Sequence, residues 1–196
     1  MRDGRDAMIS LYFHWARAVP EGDRPRLNRF QRCMFPGLTN KANVRENLPA
    51  FLEQQMVRPV ATKGHNWGQH VQRFFDSGES NLVLMKYESL LSDPISELRH
   101  AIAEIMGEEP DERILEFAVE KHSFARQSGR KRGEEDKKSF LRKAQAGDWR
   151  NYFTREAAEV FDRYCGEQLI AAGYEADRNW IDDLGSTTER TMDHAA

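Results

Sequence analysis

Cysteine is nearly missing from this chain of 196 residues: only Cys33 and Cys165 are present. Two thiols cannot build a disulfide framework or a cysteine-based zinc site, which points to a reducing compartment, the cytoplasm, with each thiol read as a packed side chain. Long apolar runs are absent too. No stretch approaches the length of a membrane span, and the opening MRDGRD has no apolar core of a secretory leader, so neither membrane anchoring nor secretion is encoded in these residues. There is no excess of positive charge, since the formal net charge is −3; bulk attraction to nucleic acid or to an anionic membrane is therefore not expected, and any basic site has to be local. No H-E-x-x-H or other metal-ligand spacing occurs, so no metal is expected. Internal repeats are lacking as well.

What is present describes a solvated globular protein of one domain: 39% hydrophobic and 31% charged residues, in a length that suits one core better than two. Helical spacing dominates. After a turn at Gly4, Asp6 can cap a helix carrying Met8, Leu11, Tyr12, Trp15 and Val19 at helical intervals, with Asp6, Ser10, His14 and Arg17 on its polar face. Residues 20–37 read as a loop rich in Pro and Gly. Residues 44–56 form an amphipathic helix through Val44, Leu48, Phe51, Leu52 and Met56, and helical register returns at Trp67, Val71, Phe74 and Phe75.

One segment reads as a strand. Residues 81–87 hold the unbroken run Leu82, Val83, Leu84 and Met85, which suits a parallel strand buried on both faces. Asp93 followed by Pro94 is a cap and first-turn proline, and Gly107 is a stop for a helix through Leu98, Ile102 and Ile105. A further helix uses Ile114, Leu115, Ala118 and Val119. Apolar periodicity then disappears over residues 126–143, where eight basic residues stand against three acidic ones, and a mobile loop is expected. A last helix begins near Thr154 and ends at Gly173. The tail, 182–196, is polar and reads as disordered.

Chemistry enters through two segments far apart in sequence. RDGRDAMIS, from Arg2 to Ser10, offers a guanidinium and a hydroxyl near a helix start, the donors that hold an isolated phosphate. Taken alone it also reads as a capped turn. FLRKAQAGDWRNYFT, from Phe140 to Thr154, supplies Arg142, Lys143 and Ala144 ahead of Gly147, Asp148 and Trp149; alone, it is a solvated basic run. Together the two segments resemble the paired clamps that hold the 3′-phosphate of the donor nucleotide in cytosolic-type sulfotransferases, enzymes dependent on 3′-phosphoadenosine-5′-phosphosulfate (PAPS). In that family Arg2 and Ser10 would ligate the 3′-phosphate, and the Arg142–Lys143 pair would close over it with the next residue's backbone. That next residue is a glycine in the family and Ala144 here, a departure that would strain the turn if φ must be positive.

Smaller matches lie between them. LVLMKYESLLSDP resembles the segment whose tyrosine approaches the adenine, here Tyr87, and HSFARQ resembles the adenine-facing segment in which Phe124 would stack on the base. A core tyrosine and a core phenylalanine are the alternatives. The resemblance runs from Arg2 to about Tyr174 and implies an α/β fold, a partial P-loop NTPase-like parallel sheet that is helix-dominated in this segment. It also implies transfer of the sulfuryl group from PAPS to a hydroxyl or amine of a small-molecule acceptor, leaving adenosine 3′,5′-bisphosphate (PAP).

Family members place the phosphosulfate loop with its lysine, and the histidine base, upstream of the Arg2 segment. Residues 1–175 are accordingly read as the C-terminal part of a single sulfotransferase domain, truncated, with no catalytic residue among them and no turnover expected of the chain as given. His14, His65, His70, His100, His122 and His194 are poor candidates for the base. In the family, residues 20–37 would be an acceptor-contacting insertion; an ordinary surface loop is the other reading. RNYFTREAAE matches the family's short dimer-forming motif only in part, through Arg150, Thr154 and Glu159, with Arg155 where an apolar residue is expected, so the oligomeric state stays open. Two rival functions are a noncatalytic nucleotide- or partner-binding remnant and RNA binding through residues 126–143. Overall acidity and the lack of interleaved aromatics count against the second.

Overall fold

The computed structural model describes residues 1–20, 27–38, 40–59 and 64–189, the last five of these as backbone alone. In chain order the helices are α1 (Gly4–Ala16), α2 (Arg29–Met34), α3 (Val44–Val57), α4 (Trp67–Asp76), α5 (Tyr87–Ser92), α6 (Pro94–Met106), α7 (Glu112–Lys121), α8 (Phe124–Ser128), α9 (Arg155–Ala171) and α10 (Trp180–Glu189). A single 3-10 turn covers Asp148–Asn151. The chain divides into two compact units, one of Met1–Asp3 with Gly78–Gly147 and the other of Gly4–Ser77 with Asp148–Ala196.

The expected parallel sheet is not there: among the described residues there is no β-strand, and the architecture is helical. Residues 82–86 carry no regular secondary structure, with Lys86 extended at φ −88° and ψ 135°, and a strand exists only through a neighbour that takes its backbone hydrogen bonds. What the segment finds is one residue. The Met1 amino group donates to the Met85 carbonyl, and the Tyr87 N–H donates to the Met1 carbonyl at 2.6 Å. One residue alongside does not make a ladder, and Leu82 to Met85 are exposed or half-buried rather than covered on both faces. The α/β, P-loop-type expectation is thus corrected to an all-helical one.

Helix ends follow local chemistry. Asp93 accepts the Ser96 N–H at 3.1 Å, Pro94 sits at the first position of α6, and Gly107 closes it in the left-handed region at φ 74°. Thr154 caps α9 through the Ala157 N–H at 3.2 Å. Asp111 caps α7, and Ser123 caps α8. Within the stretch read as a loop after Pro20, Asn28 and Gln31 form a reciprocal capping box that starts α2; residues 21–26 lie outside the described residues. The tail expected over 182–196 overlaps α10 as far as residue 189, and 190–196 lie outside the described residues.

In the second unit α9 is the central helix, packed by α3, α4 and α10, while α1 packs on α3 and on the 3-10 turn. Ile9, Tyr12, Leu48, Phe51, Leu52, Val71, Phe161 and Leu169 are buried there, and Tyr12 meets Phe51 edge-on at 5.2 Å between centroids. Burial pushes the Tyr12 hydroxyl up to about 12, against the opposing hydrogen bond from Asn47. It does the same to the Cys165 thiol, also to about 12, so this cysteine is an inert packed group. Cys33 departs from expectation, being exposed.

α1 begins three residues earlier than a cap at Asp6 implies, at Gly4, and Asp6 is inside the first turn and buried rather than on a polar face. Gly4 is required by packing and not by a turn. A Cβ there would lie 2.5 Å from Trp67 Cδ2 and 2.7 Å from Phe161 Cζ, two buried rings with nowhere to retreat. Gly4→Ala is expected to cost about 1–3 kcal/mol through overpacking, measurable as a lower urea midpoint; an unchanged midpoint would show that the rings accommodate the methyl.

The first unit has a thinner core. α6 packs between α5 and α7, and α7 meets α8, with Ala101, Leu115 and Phe124 buried. Ile105 and Ile114, expected in the core from their spacing, are 65% and 67% exposed.

Candidate functional site

Six of the seven residues expected to bind nucleotide fall in the first unit: Arg2, Tyr87, Phe124, Arg142, Lys143 and Ala144. Ser10 belongs to the second, half-buried in the middle of α1. At one end of the first unit, the Arg2 guanidinium lies over the Tyr87 ring, 4.7 Å from its centroid, a cation–π contact between two residues 85 positions apart. The chain start is fastened there by the Met1 bonds and by the Asp3 N–H, which donates to Glu88 at 3.0 Å.

The basic stretch after α8 is a loop, as its composition predicts, but a loop folded onto itself. Arg130 organises it. Its guanidinium donates to the carbonyls of Glu134 at 2.8 Å and Arg142 at 3.0 Å, and to that of Leu141, while lying over the Phe124 ring at 5.3 Å. Backbone bonds from Gly133 N–H to the Lys143 carbonyl and from Asp136 N–H to the Arg142 carbonyl, both 2.9 Å, tie the two limbs together. Phe124 is buried under this arrangement, on the first turn of α8. Arg130 was not singled out by the sequence, where it is one cation among eight. Only its place just after a helix-terminating glycine, Gly129 at φ 70°, marks it as different.

Arg142 is buried to 9% exposure and pairs with Glu135. Two residues on, Ala144 has φ 48°, the one non-glycine residue in the left-handed region among the described residues. The position therefore does demand the conformation that a glycine would adopt freely, and the methyl group is strained there by about 1–2 kcal/mol. Ala144→Gly is expected to raise stability by about 0.5–1 kcal/mol, the relief of that strain less the larger unfolded-state entropy of glycine. Thermal unfolding of the two chains checks it, and a lower midpoint for the variant would contradict the strain.

The two motif segments also meet inside the second unit, though through residues other than the expected phosphate ligands. The Asp6 carboxylate accepts the Trp149 N–H at 2.8 Å, across 143 positions of sequence. Arg5, 1% exposed, lies over the Trp149 ring at 3.8 Å and over Trp180 at 4.8 Å, and pairs with Glu175 at 2.5 Å. The Arg150 guanidinium also lies over the Trp149 ring, 4.4 Å from its centroid. Asp6 and Arg5 thus fasten the 3-10 turn that follows the basic loop. The partial dimer motif is used locally as well: Thr154 is a helix cap, and Arg155 pairs with Glu159 at 3.1 Å and Asp182 at 3.0 Å.

His14 and His65 each hydrogen-bond an arginine, Arg17 and Arg73, at 2.7 Å on the surface of the second unit. Among the described residues no group of His, Cys, Asp and Glu is arranged to hold a metal ion, and no helix is long and apolar enough to cross a membrane.

Comparison with known proteins adds a family. The sequence matches the sulfotransferase domain over residues 1–173. A flavonol 4′-sulfotransferase of Flaveria chlorifolia is 26% identical over 189 residues, 88% of this chain and 52% of that protein. Human sulfotransferase 1C2 is 29% identical over 172 residues, 82% of this chain and 50% of that protein. In fold, the chain is similar to a mouse sulfotransferase solved in complex with PAP, with a TM-score of 0.58 at 21% identity, covering 95% of this chain and 61% of that one. The chain spans about half the length of the curated relatives it matches. With the sulfotransferase domain matched over residues 1–173, most of this chain, the chain belongs to the PAPS-dependent sulfotransferase family.

Proposed function

We propose that these residues form the nucleotide-holding part of a sulfotransferase that moves the sulfuryl group of PAPS to a hydroxyl or amine of a small-molecule acceptor. Arg142, Lys143 and Arg2 face the 3′-phosphate, and Tyr87 and Phe124 lie beside the adenine. The observation that carries this reading is the turn at Arg142–Lys143–Ala144. A guanidinium held at 9% exposure is followed by a left-handed residue at φ 48°, the backbone form that turns successive N–H groups toward one anion. That donor set suits a dianionic phosphate: two cations for charge, a planar fork for bidentate contact, and main-chain N–H groups to complete the shell. The names of the flavonol relative and of the PAP-bound fold neighbour support the same donor and a small phenolic acceptor.

In sulfuryl transfer a firm hold on the nucleotide fixes the donor for in-line attack, which is a contribution of orientation. Proton removal from the acceptor and stabilisation of the leaving oxygen are separate tasks. His14 and His65 are engaged with Arg17 and Arg73, and we assign these residues donor binding and expect no turnover from them alone.

Calorimetric titration tests the assignment. PAP is expected to bind at least tenfold more tightly than 5′-AMP, since the two differ in the one group the turn is built to hold, and a charge-assisted hydrogen bond contributes about 1.5–3 kcal/mol. Equal affinities would remove the basis of the proposal.

A further inference from the structure

Three acidic residues, Glu134, Glu135 and Asp136, interrupt the basic loop of the first unit, and they do different things. The Glu134 carboxylate accepts the Lys131 N–H at 3.0 Å, and that of Asp136 accepts the Lys138 N–H at 2.8 Å; both shape local turns. Glu135 alone of the three reaches across the loop, to the guanidinium of Arg142. Its place there is built. The backbone bond from Asp136 N–H to the Arg142 carbonyl, with that from Gly133 to Lys143, sets the Glu135 limb directly opposite the Arg142 limb.

A carboxylate is the side-chain group closest to a phosphate in its match to a guanidinium fork. A cation at 9% exposure needs an anion beside it or loses its solvation uncompensated. We infer that Glu135 is an internal stand-in for the 3′-phosphate, holding Arg142 when no nucleotide is bound and giving it up to the incoming phosphate. This rests on the reading of Arg142 as a 3′-phosphate ligand. The exchange has somewhere to go: Glu135 is 24% exposed, and its other carboxylate oxygen lies 4.0 Å from the Lys137 ammonium, itself 60% exposed. On nucleotide binding the carboxylate swings from Arg142 to Lys137 and solvent. Charge balance requires the move, because a dianion placed on Arg142 with Glu135 still there would set like charges a few ångströms apart. Glu135 is thereby an occupant that competes with the donor nucleotide, making affinity lower than the cations alone would give.

The test is calorimetry with PAP and 5′-AMP on the wild-type chain, Glu135→Gln and Glu134→Gln. Glu135→Gln is expected to bind PAP about tenfold more tightly with 5′-AMP unchanged, whereas Glu134→Gln, which removes the same charge one residue away, shifts PAP by less than about twofold. Equal gains in both variants would reduce the effect to bulk charge, and weaker binding by Glu135→Gln would make the carboxylate a support for Arg142 instead of a competitor; either overturns the inference. Carbon-13 NMR of the wild-type chain covers the case in which a variant misfolds. The Glu135 carboxyl signal is expected to move on addition of PAP and stay put with 5′-AMP, and a signal unmoved at saturating PAP sinks the exchange. If wild type shows no preference for PAP over 5′-AMP, the binding assignment fails and this inference with it; a preserved preference without a Glu135 effect sinks this inference alone.

Discussion

Replacing Arg5 by alanine is expected to destabilise the second unit by about 3–5 kcal/mol, the cost of emptying a large buried side chain from between two rings together with the lost cation–π contacts. The side chain is 1% exposed, paired with Glu175 at 2.5 Å and layered between Trp149 and Trp180. Truncation removes the cation from two aromatic faces and leaves a cavity between large rings, while Glu175, 21% exposed, is solvated by water once the partner is gone. Glu175→Gln keeps the stacking and leaves an amide oxygen to accept from the buried guanidinium, and should cost less, about 1–3 kcal/mol. Urea unfolding of both variants separates the contributions: a large loss for Arg5→Ala with a smaller one for Glu175→Gln assigns the stability to burial and stacking, and similar small losses in both would contradict the account. A drop this large exceeds half the stability of many domains, so Arg5→Ala should also yield less folded protein on expression.

The second large effect concerns ligand binding. Arg142→Ala is expected to weaken PAP binding by about 10- to 100-fold, the range that loss of a charge-assisted, bidentate contact gives, while 5′-AMP affinity changes by less than about twofold. The asymmetry is the informative part. A variant that collapsed the loop would lose both nucleotides, because Phe124 is held under the same loop through Arg130. Circular dichroism on the variant confirms that its helices remain, and calorimetry reads the two affinities. Parallel losses for both nucleotides would show that Arg142 props up the loop without meeting the 3′-phosphate.

Much of the helical frame is legible in the sequence because helix ends are written locally. Asp93, Pro94 and Gly107 start and stop α6 with no help from elsewhere, and Thr154 does the same for the start of α9. Failures occur where a residue's role is set by a distant partner. Leu82 to Met85 have a strand's composition, yet strand formation depends on a neighbour, and Met1 offers one residue. Asp6 has the chemistry of a cap and is spent instead on Trp149, 143 positions away. Periodicity also identified Ile105 and Ile114 as one face of each helix without revealing that both side chains stay exposed; spacing says which residues share a face, and the rest of the fold decides whether anything covers it.

The local geometry of the candidate site was half legible. Resemblance picked out Arg142, Lys143 and Ala144, and the departure from glycine at 144 carried a physical expectation that the φ of 48° meets. Charge counting, by contrast, treated residues 126–143 as one solvated run. It could not distinguish Arg130, which stitches the loop through three carbonyls, from its neighbours, nor Glu135 from the acids on either side of it. Those distinctions come from hydrogen bonds between limbs of a loop, for which a linear sequence carries no period.

Phosphorus-31 NMR of PAP bound to the wild-type chain tests the central claim most directly, because the nucleotide carries two phosphates and only one is assigned to the Arg142–Ala144 turn. The 3′-phosphorus resonance is predicted to move and broaden on binding, with a smaller change at the 5′-phosphorus, and the 3′ change should vanish in Arg142→Ala. A shift confined to the 5′-phosphorus, or a 3′ shift that survives Arg142→Ala, would contradict the account.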